Sequence, residues 1–274
     1  MDLLVQHSSL SPPVLLDAMS KGAVWLTRRG AGRHRVRGAD TMLHEGELVE
    51  LHFDERILAQ VPPPASCLRR ASRYSVWLKP PGLLAQGSDH GDHCSLLRQA
   101  EQINPGDDVH LVHRLDRETA GLMLLAHGAE AAGRLSELFR RGALSKRYRA
   151  LARGDVRASL GDEGTLDAAL DGRVARTDFS VVAVHPGTEA DPRTVTELEL
   201  LLFTGRTHQI RRHLAQVGHP VMGDPRHGTG NKNREGLRLV AHTLEWTCPF
   251  DGEPVKVALD PVRLRDYLGL ARES

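Results

Sequence analysis

His113-Arg114-Leu115-Asp116-Arg117-Glu118-Thr119-Ala120-Gly121-Leu122 places a charged stretch between two apolar runs. Leu111 and Val112 lead in, and Leu122-Met123-Leu124-Leu125-Ala126 leads out. The second run has the length of a buried strand. Asp116 is therefore expected in a turn between core elements, with Arg114 and Arg117 on either side. Guanidinium neighbours favour the ionised form of a carboxyl group. By itself such a turn reads as a salt-bridged structural loop. What gives it chemistry is the company it keeps along the chain.

The 274 residues suit one large domain and one small one, with 40% hydrophobic and 26% charged residues, an ordinary globular composition. The formal net charge is only +1, so a site for nucleic acid has to be a local basic patch. Two segments qualify. Residues 134–153 hold seven Lys/Arg against one acid, Glu137, and residues 206–238 hold seven against Asp224 and Glu235. Cys67, Cys94 and Cys248 are too few and too scattered for a disulfide framework, which points to a reducing cytosol. Met1-Asp2-Leu3-Leu4-Val5 lacks the basic start and apolar core of a signal peptide, and no apolar run reaches membrane-spanning length. A cytoplasmic location is expected.

Residues 1–60 read as a small N-terminal module. It has a short helix over 14–19, a strand over 22–26, a basic loop over 28–37 and an alternating strand over 46–53. The Pro-rich run 61–72, with Pro62-Pro63-Pro64, reads as a linker, and a catalytic domain is expected over 73–274. That domain opens on a strand, Tyr74-Ser75-Val76-Trp77-Leu78, and a turn, Lys79-Pro80-Pro81-Gly82. Asp89-His90-Gly91-Asp92-His93-Cys94 contains metal-ligand residue types, but no second cluster is spaced to complete a site, so a polar loop and no metal are expected. A helix is predicted over 129–141, where Ala131, Leu135, Leu138 and Phe139 share a face and Gly142 is placed to end it. The strand Ser145-Lys146-Arg147-Tyr148-Arg149-Ala150-Leu151 follows, and two more are predicted over 179–184 and 194–203. Next comes Thr204-Gly205-Arg206-Thr207-His208-Gln209-Ile210-Arg211-Arg212-His213-Leu214. Thr207 is predicted as a helix N-cap, with Ile210, Leu214 and Val217 on the core face and Gly218 at the stop. Residues 226–235 read as a loop, Asp251-Gly252 as a hairpin turn and 263–268 as a closing helix.

Three of these strings together resemble the signatures of the RluA-type pseudouridine synthases. They are His-Arg-Leu-Asp-x-x-Thr-Ala-Gly-Leu at 113–122, Lys-x-Tyr-x-Ala at 146–150 and Thr-Gly-Arg-x-His-Gln-Ile-Arg-x-His-Leu at 204–214. Lys79-Pro80-Pro81-Gly82 is similar to the family's Lys-Pro-x-Gly, with Leu78 where many members carry Asp. Leu237-Arg238-Leu239-Val240-Ala241-His242 resembles a late family strand, with Ala241 and His242 in exchanged order. Gly22-Ala23-Val24 and Gly46-Glu47-Leu48-Val49-Glu50-Leu51 resemble, in shortened form, the alpha-L RNA-binding fold.

The resemblance implies an α+β fold: a long mixed, mostly antiparallel sheet with helices around a central cleft. It implies isomerisation of a uridine in ribosomal or transfer RNA by a monomer. No cofactor is implied, which agrees with the lack of a phosphate loop or dinucleotide fingerprint. The implied catalytic residues are Asp116, Tyr148 and Arg211. Asp116 acts as nucleophile or base, Arg211 keeps it ionised, and Tyr148 stacks on the uracil, with a part in removing the ring proton as a second implied role. Substrate binding is implied for Arg114, which enters the vacated base stack, and for Leu239. Arg206 and His208 are expected to organise their loop or touch phosphate. Two other readings stand beside this one. A non-catalytic RNA-binding protein on the same fold is disfavoured by the joint presence of Asp116, Tyr148 and Arg211. A hydrolase using His113 and Asp116 lacks a Gly-x-Ser-x-Gly elbow.

Overall fold

The computed structural model describes all residues except 31, 187–192, 229–235 and 271–274. Most of the loop expected over 226–235 lies outside the described residues. The chain groups into two compact units, Met1–Pro64 with Leu83–Asp107, and Ala65–Gly82 with Asp108–Ser274. Packing therefore assigns 83–107 to the first unit, whereas the sequence places it in the domain beginning at 73.

In the first unit, α1 (Asp2–His7) and α2 (Pro12–Ser20) precede a small antiparallel sheet of β1 (Val24–Arg28), β2 (Gly32–Arg35) and β3 (Leu48–Leu51). Pro12 fits the first turn of α2, where an amide would have no partner, and Leu15, Ala18 and Met19 form the helix's buried stripe. Met19 packs with Val24, Leu26 and Val36. The short helices α3 (Glu55–Leu58) and α4 (Leu96–Ile103) complete the unit. The stretch expected as a basic loop is largely the β1–β2 hairpin, and four of its five arginines are matched to acids. Arg28 pairs with Glu47, Arg33 with Glu50 and Asp89, and both Arg35 and Arg37 with Asp92. The guanidinium groups of Arg33 and Arg35 lie 4.1 and 4.0 Å from the Trp25 ring centre.

The second unit is built on one large sheet. Its strands are β4 (Ser66–Arg70), β5 (Tyr74–Lys79), β6 (Val109–Leu111), β7 (Ala120–His127), β8 (Leu144–Arg153), β9 (Glu163–Leu166), β10 (Thr177–His185), β11 (Val195–Leu202), β12 (Leu239–Thr247) and β13 (Pro254–Ala258). Their order is β4-β5-β7-β12-β8-β11-β10-β9, with β6 added on β7 and β13 on β12. Among the described residues four helices accompany it: α5 (Ala129–Arg141), α6 (Val156–Leu160), α7 (Gln209–Gln216) and α8 (Pro261–Leu268). β4 occupies much of the segment expected as a linker. All five of its residues are exposed, so it shows no buried-face alternation. The helix over 129–141 ends as expected, with Gly142 in the left-handed conformation (φ 67°).

β7 is buried at seven of its eight positions, because it lies between β5 and β12. Burial of each of its leucines contributes about 1.5–3 kcal/mol. The β7–β12 pair is parallel, with Ala120 opposite Val240 and Gly121 opposite Ala241. At this seam Gly121 has φ +129°, and a Cβ there would sit 2.3 Å from the Ala241 carbonyl oxygen. The glycine of the signature is thus a steric requirement of the sheet. The seam also fixes where the loop before β7 emerges, and that loop carries Asp116.

Candidate active site

The loop over 113–119 is fastened at both ends. Leu115 is buried, and the Thr119 amide donates to the Asp116 carbonyl. Across from it, the turn after β5 grips Arg117. Its carbonyl accepts from the Gly82 amide at 2.8 Å and from Lys79 Nζ at 3.1 Å, and Arg117 Nε donates back to the Gly82 carbonyl. Lys79 has no solvent exposure. Burial lowers its pKa to about 7, a pull that the Asp116 and Glu118 carboxylates partly oppose. The Lys-Pro-x-Gly string therefore acts as the clamp on the Asp116 loop.

Asp116 keeps 26% side-chain exposure while its cation is sealed in: Arg211, on the first turn of α7, has none. Arg211 Nη1 donates to Asp116 Oδ2 at 3.1 Å. Arg211 Nε and Nη2 make a two-pronged contact with Asp224 at 2.8 and 2.7 Å. Asp224 is itself buried and also accepts from the amides of Arg226 and His227. Burial opposes ionisation of Asp224, but the Arg211 guanidinium and the two amides outweigh it and hold the carboxyl below its usual range. The guanidinium is similarly stabilised in its charged form, against burial, by Asp224 and Asp116. The fork leaves Arg211 no freedom to turn, so Nη1 is aimed at Asp116. Asp116 Oδ1 has no hydrogen-bond partner among the described residues, so one carboxylate oxygen is held and the other is open.

Helix α7 begins later than expected. Its N-cap is His208, in the left-handed conformation (φ 54°), so Thr207 lies outside it. Val217 is 37% exposed and not on the core face, because it caps the helix rather than belonging to its last turn. Ile210 and Leu214 are buried as expected. Gln209 and His213 tie the helix to β10: Gln209 Nε2 donates to Thr177 Oγ1 at 2.9 Å, and His213 Nδ1 lies 3.0 Å from the same hydroxyl. Arg206 Nε donates to the Val174 carbonyl, anchoring its loop. His208 Nε2 approaches Asp116 Oδ2 at 3.8 Å, and its Nδ1 lies 2.9 Å from His227 Nε2.

On the sheet, Tyr148 sits opposite Ala241 and Leu200, and Ala150 opposite Leu239 and Leu198. Cross-strand partners share a face, so Tyr148 and Leu239 are diagonal neighbours on one surface. Burial, with the Asp116 charge nearby, pushes the Tyr148 phenol well above its usual range and keeps it neutral. Arg114 is exposed. His242 lies at a bulge in β12, 2.9 Å from Glu199, which also pairs with Arg149. His113 serves structure. Its Nε2 accepts from the Leu124 amide, its ring stacks on Phe139, and burial followed by the Lys146 charge lowers its pKa to about 3. A ring so placed is unfit as the base of a hydrolase.

Asp116, Arg211, Tyr148 and His208 thus belong to one assembly, a cation-paired carboxylate beside a neutral aromatic wall. Residues 73–216 match the RNA pseudouridylate synthase family model. The chain belongs to this family. The match is to its RluA type, and the protein is accordingly an RNA pseudouridine synthase, an isomerase. The tRNA pseudouridine synthase C of Salmonella typhimurium is 35% identical over 60% of this chain and 72% of its own. An uncharacterized RNA pseudouridine synthase of Bacillus subtilis is 37% identical over 83% and 86%. The ribosomal large subunit pseudouridine synthase D of Xanthomonas campestris is 30% identical over 87% and 80%. Among solved structures, human RNA pseudouridylate synthase domain containing 1 superposes with a TM-score of 0.60 at 25% identity, covering 74% of this chain and 86% of that one. This chain has the mixed, mostly antiparallel sheet with flanking helices expected from the motifs.

The sequence reading missed Asp224 and His227 as members of the site. The signal for Asp224 was the turn Gly223-Asp224-Pro225, a pattern that usually marks an exposed turn. Its burial comes with the fork from Arg211 and with a backbone held at Met222 by Leu151 and Arg238.

Proposed function

We propose that this synthase isomerises specific uridines in transfer or ribosomal RNA, with Asp116 as the essential residue. The carrying observation is the carboxylate of Asp116, partly exposed, with one oxygen bound to the immobilised Arg211. A uridine in folded RNA has to leave its stack to reach such a group, at a cost of a few kcal/mol. Arg114, exposed on the Asp116 loop, fills the space that the base leaves. Tyr148 and Leu239 form the wall against which the uracil lies.

Asp116 then acts on the ribose, either by attacking the carbon that bears the base or by removing a ribose proton. Both routes need a charged carboxylate with an open oxygen. The bond from ribose carbon to ring nitrogen breaks, the detached uracil turns, and a bond forms from the same ribose carbon to a ring carbon as the carboxylate leaves that carbon or, on the second route, returns the ribose proton. The proton on that ring carbon leaves and a ring nitrogen gains one, so the reaction balances without an oxidant. The elevated pKa of Tyr148 suits stacking better than service as a phenolate base. Arg206 and His208 act from α7 and the loop before it. The exposed cations of the basic segments, Arg134, Arg140, Arg141, Arg147 and Arg226, supply phosphate contacts that orient the RNA without reading its sequence. The names of the relatives support both transfer and ribosomal RNA as substrate classes. Because the assembly lies within one unit of one chain, a monomer suffices, and the cytoplasm is the compartment that holds both RNA classes.

Pseudouridine mapping in cells lacking the gene tests this reading. One or a few sites in transfer or ribosomal RNA should disappear. The purified chain should restore them in vitro, in the presence of chelator and without release of free uracil. No lost site and no conversion would overturn it.

A further inference from the structure

The turn that anchors Arg211 also carries a second contact towards Asp116. His208 is a non-glycine residue with φ 54° and ψ 30°, a conformation that such residues mostly avoid. Its ring is held between two partners, Asp116 Oδ2 at 3.8 Å from Nε2 and His227 Nε2 at 2.9 Å from Nδ1. The His227 amide, for its part, donates to Asp224 Oδ1 at 3.1 Å. One short segment, 224–227, thus supports both neighbours of the Asp116 carboxylate.

A contact of 2.9 Å between two ring nitrogens needs one proton between them. If His208 supplied it, a bare nitrogen lone pair on Nε2 would face the carboxylate. If His227 supplies it, His208 keeps its proton on Nε2 and presents an N–H dipole to Asp116. The second arrangement is the favourable one. We propose that His227 is a positioning residue: it donates from Nε2 to His208 Nδ1 and holds His208 in the tautomer whose Nε2–H faces Asp116. This rests on the role of Asp116 given above.

Both rings are neutral near pH 7, because burial lowers their pKa values below the ordinary 6.5. Asp116, Arg211, Arg226 and Asp224 face His208, and Asp224, Arg211, His208 and Arg212 face His227. Of these charges Asp116 acts most strongly on His208, and it is the one that Nε2 faces at 3.8 Å, so it is the anion that selects the tautomer.

Ring-nitrogen NMR of ¹⁵N-histidine-labelled protein, without RNA, reads the tautomer directly, with His208→Ala giving the assignment. We expect the Nε2–H form of His208 in the wild type and a mixture in His227→Leu. The same variant should slow single-turnover conversion about tenfold, a rise of ~1.4 kcal/mol in the barrier, with RNA affinity unchanged. His227→Gln, which retains an N–H donor, should recover most of the rate. The double variant His208→Ala/His227→Leu should be no slower than His208→Ala, since His227 acts only through His208. A proton on Nδ1 of His208 in the wild type, an unaltered tautomer in His227→Leu, or additive losses in the double variant would overturn the proposal. If the wild type converts no uridine in any RNA, the functional reading fails, while the tautomer measurement still decides the role of His227.

Discussion

Two ionic networks, one in each unit, are made from the same residue types and serve different ends. In the first unit Arg33, Arg35 and Arg37 meet Asp89 and Asp92 with side chains between 14% and 53% exposed. Each cation has an acid, with Asp89 at the open end and Arg35 and Asp92 the most covered. In the second unit Arg211 and Asp224 have no exposure, and the network runs outward to end at Asp116 with 26%. Exposed pairs are screened and weak. A buried pair costs desolvation and is retained where its geometry matters. The comparison teaches that a cluster of arginines is informative only through where its charge ends. The first network closes on itself, and the second delivers a fixed cation to the accessible Asp116 carboxylate at 3.1 Å, with Glu118 farther off at 3.9 Å.

The largest expected effect is at that open end. Asp116→Asn preserves size and one hydrogen-bonding oxygen but removes the charge and the reactive lone pair. Pseudouridine yield should fall to background while RNA affinity stays within about twofold, because phosphate contacts dominate it. Binding, melting and yield measured on one preparation check this. Substantial yield from the variant would remove Asp116 from the chemistry.

Breaking the buried end should cost both stability and rate. Asp224→Asn leaves Arg211 buried without its forked partner, a change worth about 3–5 kcal/mol when one member of a buried pair is lost. The melting temperature of the second unit should fall by several degrees, and single-turnover conversion should slow by about two orders of magnitude as Nη1 loses its aim. A variant that melts lower yet converts at the wild-type rate would show that Asp224 stabilises the fold without positioning Arg211.

A smaller effect separates the second unit's neutral neighbour from its ions. His113 has a folded pKa of about 3 against an ordinary value of 6.5. The unfolded chain therefore binds a proton that the folded chain refuses, and stability rises with pH through this window. Read downward, stability should begin to fall below about pH 6.5 and continue falling towards pH 3, at no more than ~1.4 kcal/mol per pH unit. Asp224 adds to the loss only below its ordinary value of 3.8, as pH falls through its depressed folded value. Thermal melts across this range should be steeper for the wild type than for His113→Gln. Equal slopes would assign the acid sensitivity elsewhere.

How far the sequence speaks follows from the range over which each feature is determined. The turn holding Asp116, the α5 stop at Gly142 and the hairpin at Asp251-Gly252 are set by neighbours in the chain, and the pattern shows them directly. The parallel seam of β7 with β12 joins Gly121 to Ala241, and nothing local announces it, although Gly121 is where its cost is met. Asp224 and His227 enter the site from a different segment, whose backbone is held where the Met222 amide donates to the Leu151 carbonyl and the Met222 carbonyl accepts from the Arg238 amide. β4 was hidden for another reason, since an exposed edge strand after a proline run has neither alternation nor an apolar stretch to read. The arginines at 28–37 were visible as charge, but their acids at 89 and 92 lie in a segment that the sequence assigns to the other domain.

The smallest effect belongs to the closed network and tests the comparison from its other side. Arg33 contacts Glu50, Asp89, His52 and the Trp25 face, so its loss touches four partners at once. All of those contacts lie at the surface, where water replaces them at little cost. Arg33→Ala should leave the melting temperature unchanged within error, and conversion of uridine likewise. RNA affinity is the informative measurement. If the arginine is spent on Glu50 and Asp89, affinity and its salt dependence should also be unchanged. If instead Arg33 contacts phosphate in the complex, the slope of log affinity against log salt should drop by about 0.7–0.9. That result would mean the first network opens when RNA arrives, and it would end the distinction between a closed network and one that delivers charge.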